Sequence, residues 1–149
     1  HFELIHLPEG DLPVDFQIQE IKKLIVNGQE TELNSKKVYF DRKGQAQKGA
    51  NKIAVWYRNK YNNDGSGCVS FVDVDKKQYL YTQFEPYYAN RVFPLFDQPD
   101  LKAKMRLAVL CPSDWKKVIS NEHATVDMKP YNSEEFFNNY KTSHPELLA

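Results

Sequence analysis

Cysteine is scarce: Cys68 and Cys111 are the chain's complement, too few for a disulfide scaffold and too far apart for a zinc cluster of thiolates. That scarcity favours a reducing compartment, and the expected location is cytoplasmic. Net charge is also missing, because 20 Lys and Arg balance 20 Asp and Glu. The chain therefore lacks the electrostatic footprint of a nucleic-acid or anionic-membrane binder. No apolar run approaches the roughly 18 residues needed to span a bilayer. The first stretch has no hydrophobic core of the signal-peptide kind. The four histidines, His1, His6, His123 and His144, never take the i, i+4 spacing of H-E-x-x-H. A G-x-S-x-G nucleophile elbow and a glycine-rich phosphate loop are absent too. Repeats, low-complexity tracts and linkers are absent as well, so the 149 residues read as a single domain, 1–149. The chain opens on His1 rather than Met, and upstream residues are expected.

What is present is period-two alternation. Val14, Phe16 and Ile18 alternate with polar neighbours, and Leu24-Ile25-Val26 runs into Asn27-Gly28. Asn-Gly between extended runs signals a hairpin, since both positions must accept positive φ. Val38 and Phe40 make a short return strand. Ile53, Val55 and Tyr57 face one way while Ala54 and Trp56 face the other, the pattern of a strand covered on both sides. After the turn-rich Asn62-Asn63-Asp64-Gly65-Ser66-Gly67, strands are expected at 68–74 and 79–85. Leu101, Ala103, Met105, Leu107 and Val109 alternate with Lys102, Lys104 and Arg106, which predicts a half-buried strand with a solvated basic face. Val118-Ile119 and Thr125-Val126 read as further short strands. One short helix is expected over 133–141, capped by Asn132 or Ser133. Many short strands with regular turn signals argue an all-β fold, an antiparallel sandwich or saddle with one short C-terminal helix.

The segment from 79 to 103 is the most distinctive. It carries Thr82-Gln83-Phe84-Glu85-Pro86, then Ala89-Asn90-Arg91-Val92-Phe93-Pro94, then Phe96-Asp97-Gln98-Pro99-Asp100-Leu101-Lys102-Ala103. These motifs resemble the zinc aminopeptidases of the aminopeptidase N type, the family that includes leukotriene hydrolase. Val26-Asn27-Gly28, Asn63-Asp64-Gly65 and Val118-Ile119-Ser120-Asn121 extend the resemblance, so that about residues 10–122 match and the tail from about 131 to 149 does not. Leu95 stands where the family often has Cys.

The resemblance implies part of an N-terminal β-saddle domain, cut at both ends, which packs against a separate catalytic domain. That other domain would hold the zinc, with H-E-x-x-H and its further ligand; this chain is expected to hold no cofactor, no metal ligand and no catalytic residue. By resemblance, Glu85 is the glutamate that binds a peptide's α-amino group, and Gln83 lines the pocket for the first side chain. Placed two apart on a strand, the pair would leave one face, with Phe84 anchored on the other and Pro86 ending the ladder. Arg91, Asp97 and Asp100 read as structural, Arg91 pairing with Asp97 or holding a loop, and Asp97 bonding its own backbone in a turn. Tyr79, Tyr81, Tyr87 and Tyr88 read as a packing cluster. The expected partners are the catalytic domain, or another chain covering the saddle, and a peptide N-terminus; no nucleic acid and no membrane are expected. The rival reading is a non-catalytic β-saddle module retained for binding or structure in an assembly. A carbohydrate-binding sandwich has only the fold class behind it.

Overall fold

A computed structural model describes residues 1–7, 9, 12–31, 38–40, 45–115, 117–122 and 132–143. They belong to two compact units, His1–Lys102 and Ala103–Ala149, where the sequence offered no boundary.

The first unit is built of strands, and every pairing among them is antiparallel. In chain order these are β1 (Phe2–Leu4), β2 (Leu12–Val14), β3 (Glu20–Val26), β4 (Gln29–Glu30), β5 (Val38–Phe40), β6 (Gly49–Asn51), β7 (Ile53–Arg58), β8 (Gly67–Val72) and β9 (Gln78–Gln83). They join as β1–β6, β2–β5, β4–β3–β7 and β8–β9. The expected hairpin forms at Asn27 and Gly28, with φ of 47° and 83°. Val38–Phe40 is a strand, as expected, but it returns to β2. The strand expected over 14–18 stops at Val14; Asp15 bridges to Leu95, and Phe16 is buried beyond it. β1 and β6 escaped the sequence reading because three residues are too few for alternation to register.

A bulge explains how the central ladder buries its apolar side chains. Ile21 faces Tyr57 and Lys23 faces Trp56, leaving Lys22 as the extra residue. The insertion shifts parity, so that Ile21, Leu24 and Val26 share a face with Tyr57, Val55 and Ile53. That face packs against the core of Val14, Phe16, Leu24, Val26 and Ala46. The Phe16 ring meets Tyr57 edge-on at 4.7 Å between centroids, and Phe2 meets Phe96 at 5.1 Å. β7 is not covered on both sides as its sequence suggested: Trp56 lies exposed on the second face.

Buried polar groups are matched around the first hairpin. Asn51 donates to the carbonyls of Gln47 and Gly49, and its Oδ1 accepts from Gln47 N–H and from Asn27 Nδ2. Asn27 is tied to Lys52 in both directions through backbone and side chain. These bonds satisfy groups whose burial would otherwise be costly.

Among the described residues of the second unit, the helix α1 (Ser133–Ser143) follows Asn132, whose Oδ1 accepts from Glu135 N–H at 2.8 Å. That resolves the cap in favour of Asn132. The alternating run from Leu101 to Val109 is not a strand, and neither is Val118-Ile119. Alternation decides which side chains would share a face, but a strand also needs an edge to bond, and none of the described strands pairs with this run. Leu101, Met105, Leu107 and Val109 lie exposed. Thr125-Val126 lies outside the described residues.

Candidate functional site

The motif-bearing segment is organised by the β8–β9 hairpin and the turns that follow it. Gly67 pairs with Gln83, Val69 with Tyr81 and Phe71 with Tyr79, so these six residues share one face. On it the Phe71 and Tyr79 rings stack at 5.2 Å, and Tyr81 meets Phe71 edge-on at 6.1 Å. Phe71, Tyr79 and Tyr81 keep 44%, 41% and 46% of their surface exposed, an aromatic ladder that nothing in the described residues covers.

The ladder ends at Gln83 because its partner strand begins at Gly67. That residue's φ of 73° turns the preceding chain away. Glu85 thus lies past the strand, in a turn closed by Tyr88 N–H bonding the Phe84 carbonyl at 2.8 Å, and its peptide to Pro86 is cis. This corrects the sequence reading in two ways. Pro86 does not end the ladder, and pleating does not set the direction of Glu85. Phe84 is half-buried against Phe93 and stands apart from the main core. Gln83 and Glu85 are both exposed, and among the described residues neither side chain has a hydrogen-bond or ion-pair partner.

A 3-10 turn, Ala89–Arg91, continues from there. Arg91 does not pair with Asp97. Its Nη1 reaches Asp64 Oδ2 at 2.6 Å and also bonds the Ser66 hydroxyl, while its guanidinium lies 4.8 Å from the centre of the Tyr88 ring. The loop so grasped is internally tied: Ser66 donates through N–H and hydroxyl to Asp64 Oδ1, and Asn62 Nδ2 bonds the Ser66 carbonyl at 2.7 Å. The bond from Arg91, followed by that from Ser66, holds the Asp64 carboxyl down at about 2. A side chain at Gly67 would be strained by its φ of 73° and would force Asn62 to shift, since the Cβ would lie 2.5 Å from Asn62 Nδ2 and 3.0 Å from Arg91 Cβ.

Asp97 instead serves Asn90, which is 1% exposed: its Oδ2 accepts from Asn90 N–H at 3.0 Å and from Nδ2 at 2.9 Å. Its own N–H donates to Asp15 Oδ2, and Gln98, not Asp97, opens the turn that closes on Leu101. Asn90 Oδ1 has no partner among the described residues. The Tyr87 hydroxyl bonds Asp15, which raises its pKa. The four tyrosines therefore divide: Tyr79 and Tyr81 join Phe71, Tyr88 lies against Arg91, and Tyr87 turns to Asp15. Arg91 thus takes the other role its sequence offered, holding the loop between β7 and β8, though no local signal marks Asp64, 27 residues away, as its partner.

Among the described residues, no group of three or more His, Cys, Asp or Glu side chains is placed to hold a metal ion. Both cysteines are free thiols. No described helix is long and apolar enough to cross a membrane.

The pattern of the peptidase M1 N-terminal domain family covers residues 6–145, past the 10–122 stretch spanned by the motifs. Over 74 residues the chain is 50% identical to aminopeptidase N of Streptomyces lividans, matching 49% of this chain and 8% of that protein. A probable aminopeptidase 1 of Sulfurisphaera tokodaii is 30% identical over 105 residues, 68% of this chain and 12% of that protein. A probable aminopeptidase 1 of Saccharolobus solfataricus is 30% identical over 115 residues, 76% of this chain and 14% of that protein. The chain thus spans between 8% and 14% of the length of these relatives.

Proposed function

Because this chain belongs to the peptidase M1 N-terminal domain family, we propose that it is the substrate-anchoring part of a zinc aminopeptidase, in which Glu85 binds the peptide's α-ammonium and Gln83 lines the pocket for its first side chain. A free α-amine has a reference pKa of about 7.7–8.0, so it is largely protonated at neutral pH and offers three donors. A carboxylate meets it in a charge-assisted hydrogen bond, which an internal amide or an acetylated terminus cannot form. Selectivity for chain ends follows, since the wrong substrate leaves the carboxylate unpaired on desolvation. The observation that carries this reading is the exposed, unpartnered state of Glu85 and Gln83 beside the end of a fixed hairpin, among the described residues. A carboxylate already committed to a lysine or arginine would be poorly available to a ligand.

In this reading a metal ion held by another domain would supply Lewis-acid chemistry at the scissile carbonyl, while Glu85 and Gln83 of this chain hold the peptide's end. The same reading covers the Phe71, Tyr79 and Tyr81 face with that domain or with another chain, since contiguous exposed apolar surface marks interaction sites. The two free thiols are consistent with a reducing, cytoplasmic setting. The exposed aromatic face equally favours a second reading, a non-catalytic module held in an assembly. Sequencing the transcript onward separates the two: H-E-x-x-H downstream supports the enzyme, and its absence supports the module.

The direct test is Glu85→Gln in the complete polypeptide, assayed on a peptide with a free N-terminus and on its acetylated counterpart. Losing the charge is expected to cost about 2 kcal/mol, roughly 30-fold in kcat/KM, on the free peptide. The acetylated peptide never made the contact, so the selectivity ratio should collapse. Equal losses on both would assign Glu85 to the fold and end the proposal.

A further inference from the structure

We propose that Arg91 is a positioning residue for the amine site, setting the distance between Gln83 and Glu85 by clamping the Asn62–Gly67 loop to the turn that carries Glu85; this rests on the reading of those two residues as the peptide N-terminus site.

Two attachments run from the same loop. Through Gly67 it joins the ladder opposite Gln83, fixing that side of the site. Through Asp64 and Ser66 it is held by Arg91, the last residue of the 3-10 turn Ala89–Arg91. That turn is continuous with Glu85: Tyr88 N–H bonds the Phe84 carbonyl, and Arg91 N–H bonds the Tyr88 carbonyl at 3.1 Å. Gln83 and Glu85 are therefore connected twice, directly along the chain and again around a closed circuit through Asp64 and Arg91. With the ladder ending at Gln83, pleating no longer orients Glu85, and the circuit supplies the constraint that a continuing strand would have given.

The circuit is tight where it closes. Arg91 Cβ sits so near Gly67 that a methyl group there would be 3.0 Å away. The ring of Tyr88 supports the guanidinium from one side. The Arg91 bond favours the ionised form of Asp64 and holds its carboxyl down at about 2. An ion pair this exposed contributes little to global stability. Its effect is local geometry, and substrate alignment is sensitive to displacements of about 1 Å, which can cost roughly 100-fold in rate.

The experiment uses the complete polypeptide that carries this chain, with Arg91→Gln, Asp64→Asn, the double variant, Arg91→Lys, and Glu85→Gln as reference. kcat and KM are measured on free and acetylated peptide pairs, together with Tm. Each single change is expected to lower the free-to-acetylated ratio of kcat/KM by about 3- to 10-fold, less than Glu85→Gln does because the charge is misplaced rather than removed, with Tm close to that of the unaltered protein. The double variant should fall no further than the singles, the mark of one shared interaction. Arg91→Lys should regain part of the ratio. A ratio unchanged in both singles, while Glu85→Gln collapses it, overturns the positioning role and leaves the amine site standing. Equal losses on both peptides with a lowered Tm also overturn it, since that is the behaviour of a fold contact. If Glu85→Gln itself leaves the ratio unchanged, the amine site falls and this proposal with it.

Discussion

A single carboxyl reports on the clamp without any enzyme assay. Asp64 has an ordinary value of 3.8, and the Arg91 bond, then the Ser66 bond, lowers it to about 2 in the folded chain. A lowered folded value means the charged form is favoured by folding. The contribution is complete above 3.8 and is lost as pH falls from there through about 2. Following the side-chain carboxyl carbon by NMR should show Asp64 titrating near 2, and Arg91→Gln should return it toward 3.8. A midpoint that stays low after the substitution would show that Ser66 alone holds it. Nothing in the sequence announces this partner. The sequence reading offered Asp97 as a partner for Arg91, whereas in the fold Asp97 Oδ2 accepts twice from buried Asn90 and Arg91 turns to Asp64. Gln83 and Glu85, by contrast, were legible as a motif, though not their geometry. Whether a ladder stops at 83 depends on a left-handed glycine in the partner strand, sixteen residues earlier.

Hairpins with a strict turn requirement are the elements a sequence declares most openly. Asn27 and Gly28 both hold positive φ, and the strands meet as the dipeptide demands. Gly28→Ala isolates the backbone cost, because an added Cβ there would meet nothing within 4 Å. It should destabilise the chain by about 1–2 kcal/mol, the left-handed penalty of a side chain. Urea denaturation is the measurement: a lowered midpoint with an unchanged slope is expected, and an unchanged midpoint would mean the turn relaxes freely. Other features of the ladders were hidden. The bulge at Lys22 breaks period two by a single residue, so Ile21 and Leu24 share a face that simple alternation would deny them. The run from Leu101 to Val109 is the opposite case, a full alternating pattern without a bonded neighbour among the described strands.

At the scale of the whole chain, the all-β antiparallel character was legible, since it rests on patterning and turn chemistry that each segment carries alone. The division into His1–Lys102 and Ala103–Ala149 was not, because no Gly- or Pro-rich linker marks it. Residues 101–112 cross that boundary without strand or helix, and Lys102 and Lys104 are exposed within them. Irregular, exposed backbone is where proteases gain access first. Limited trypsin digestion followed by mass spectrometry should cut after Lys102 or Lys104 before Lys22, Lys23 or Arg58, which sit in the β3–β7 ladder. Early cleavage within that ladder would mean that its paired strands open more readily than residues 101–112.

The crowding around Gly67 also constrains how such a chain can change by descent. Any side chain at 67 must accept a left-handed backbone and a Cβ only 2.5 Å from Asn62 Nδ2. A residue with a side chain at 67 would have to push the Asn62 amide aside, and that displacement takes Nδ2 away from the Ser66 carbonyl it bonds. Strain at one glycine would thus be passed to the loop that Arg91 holds.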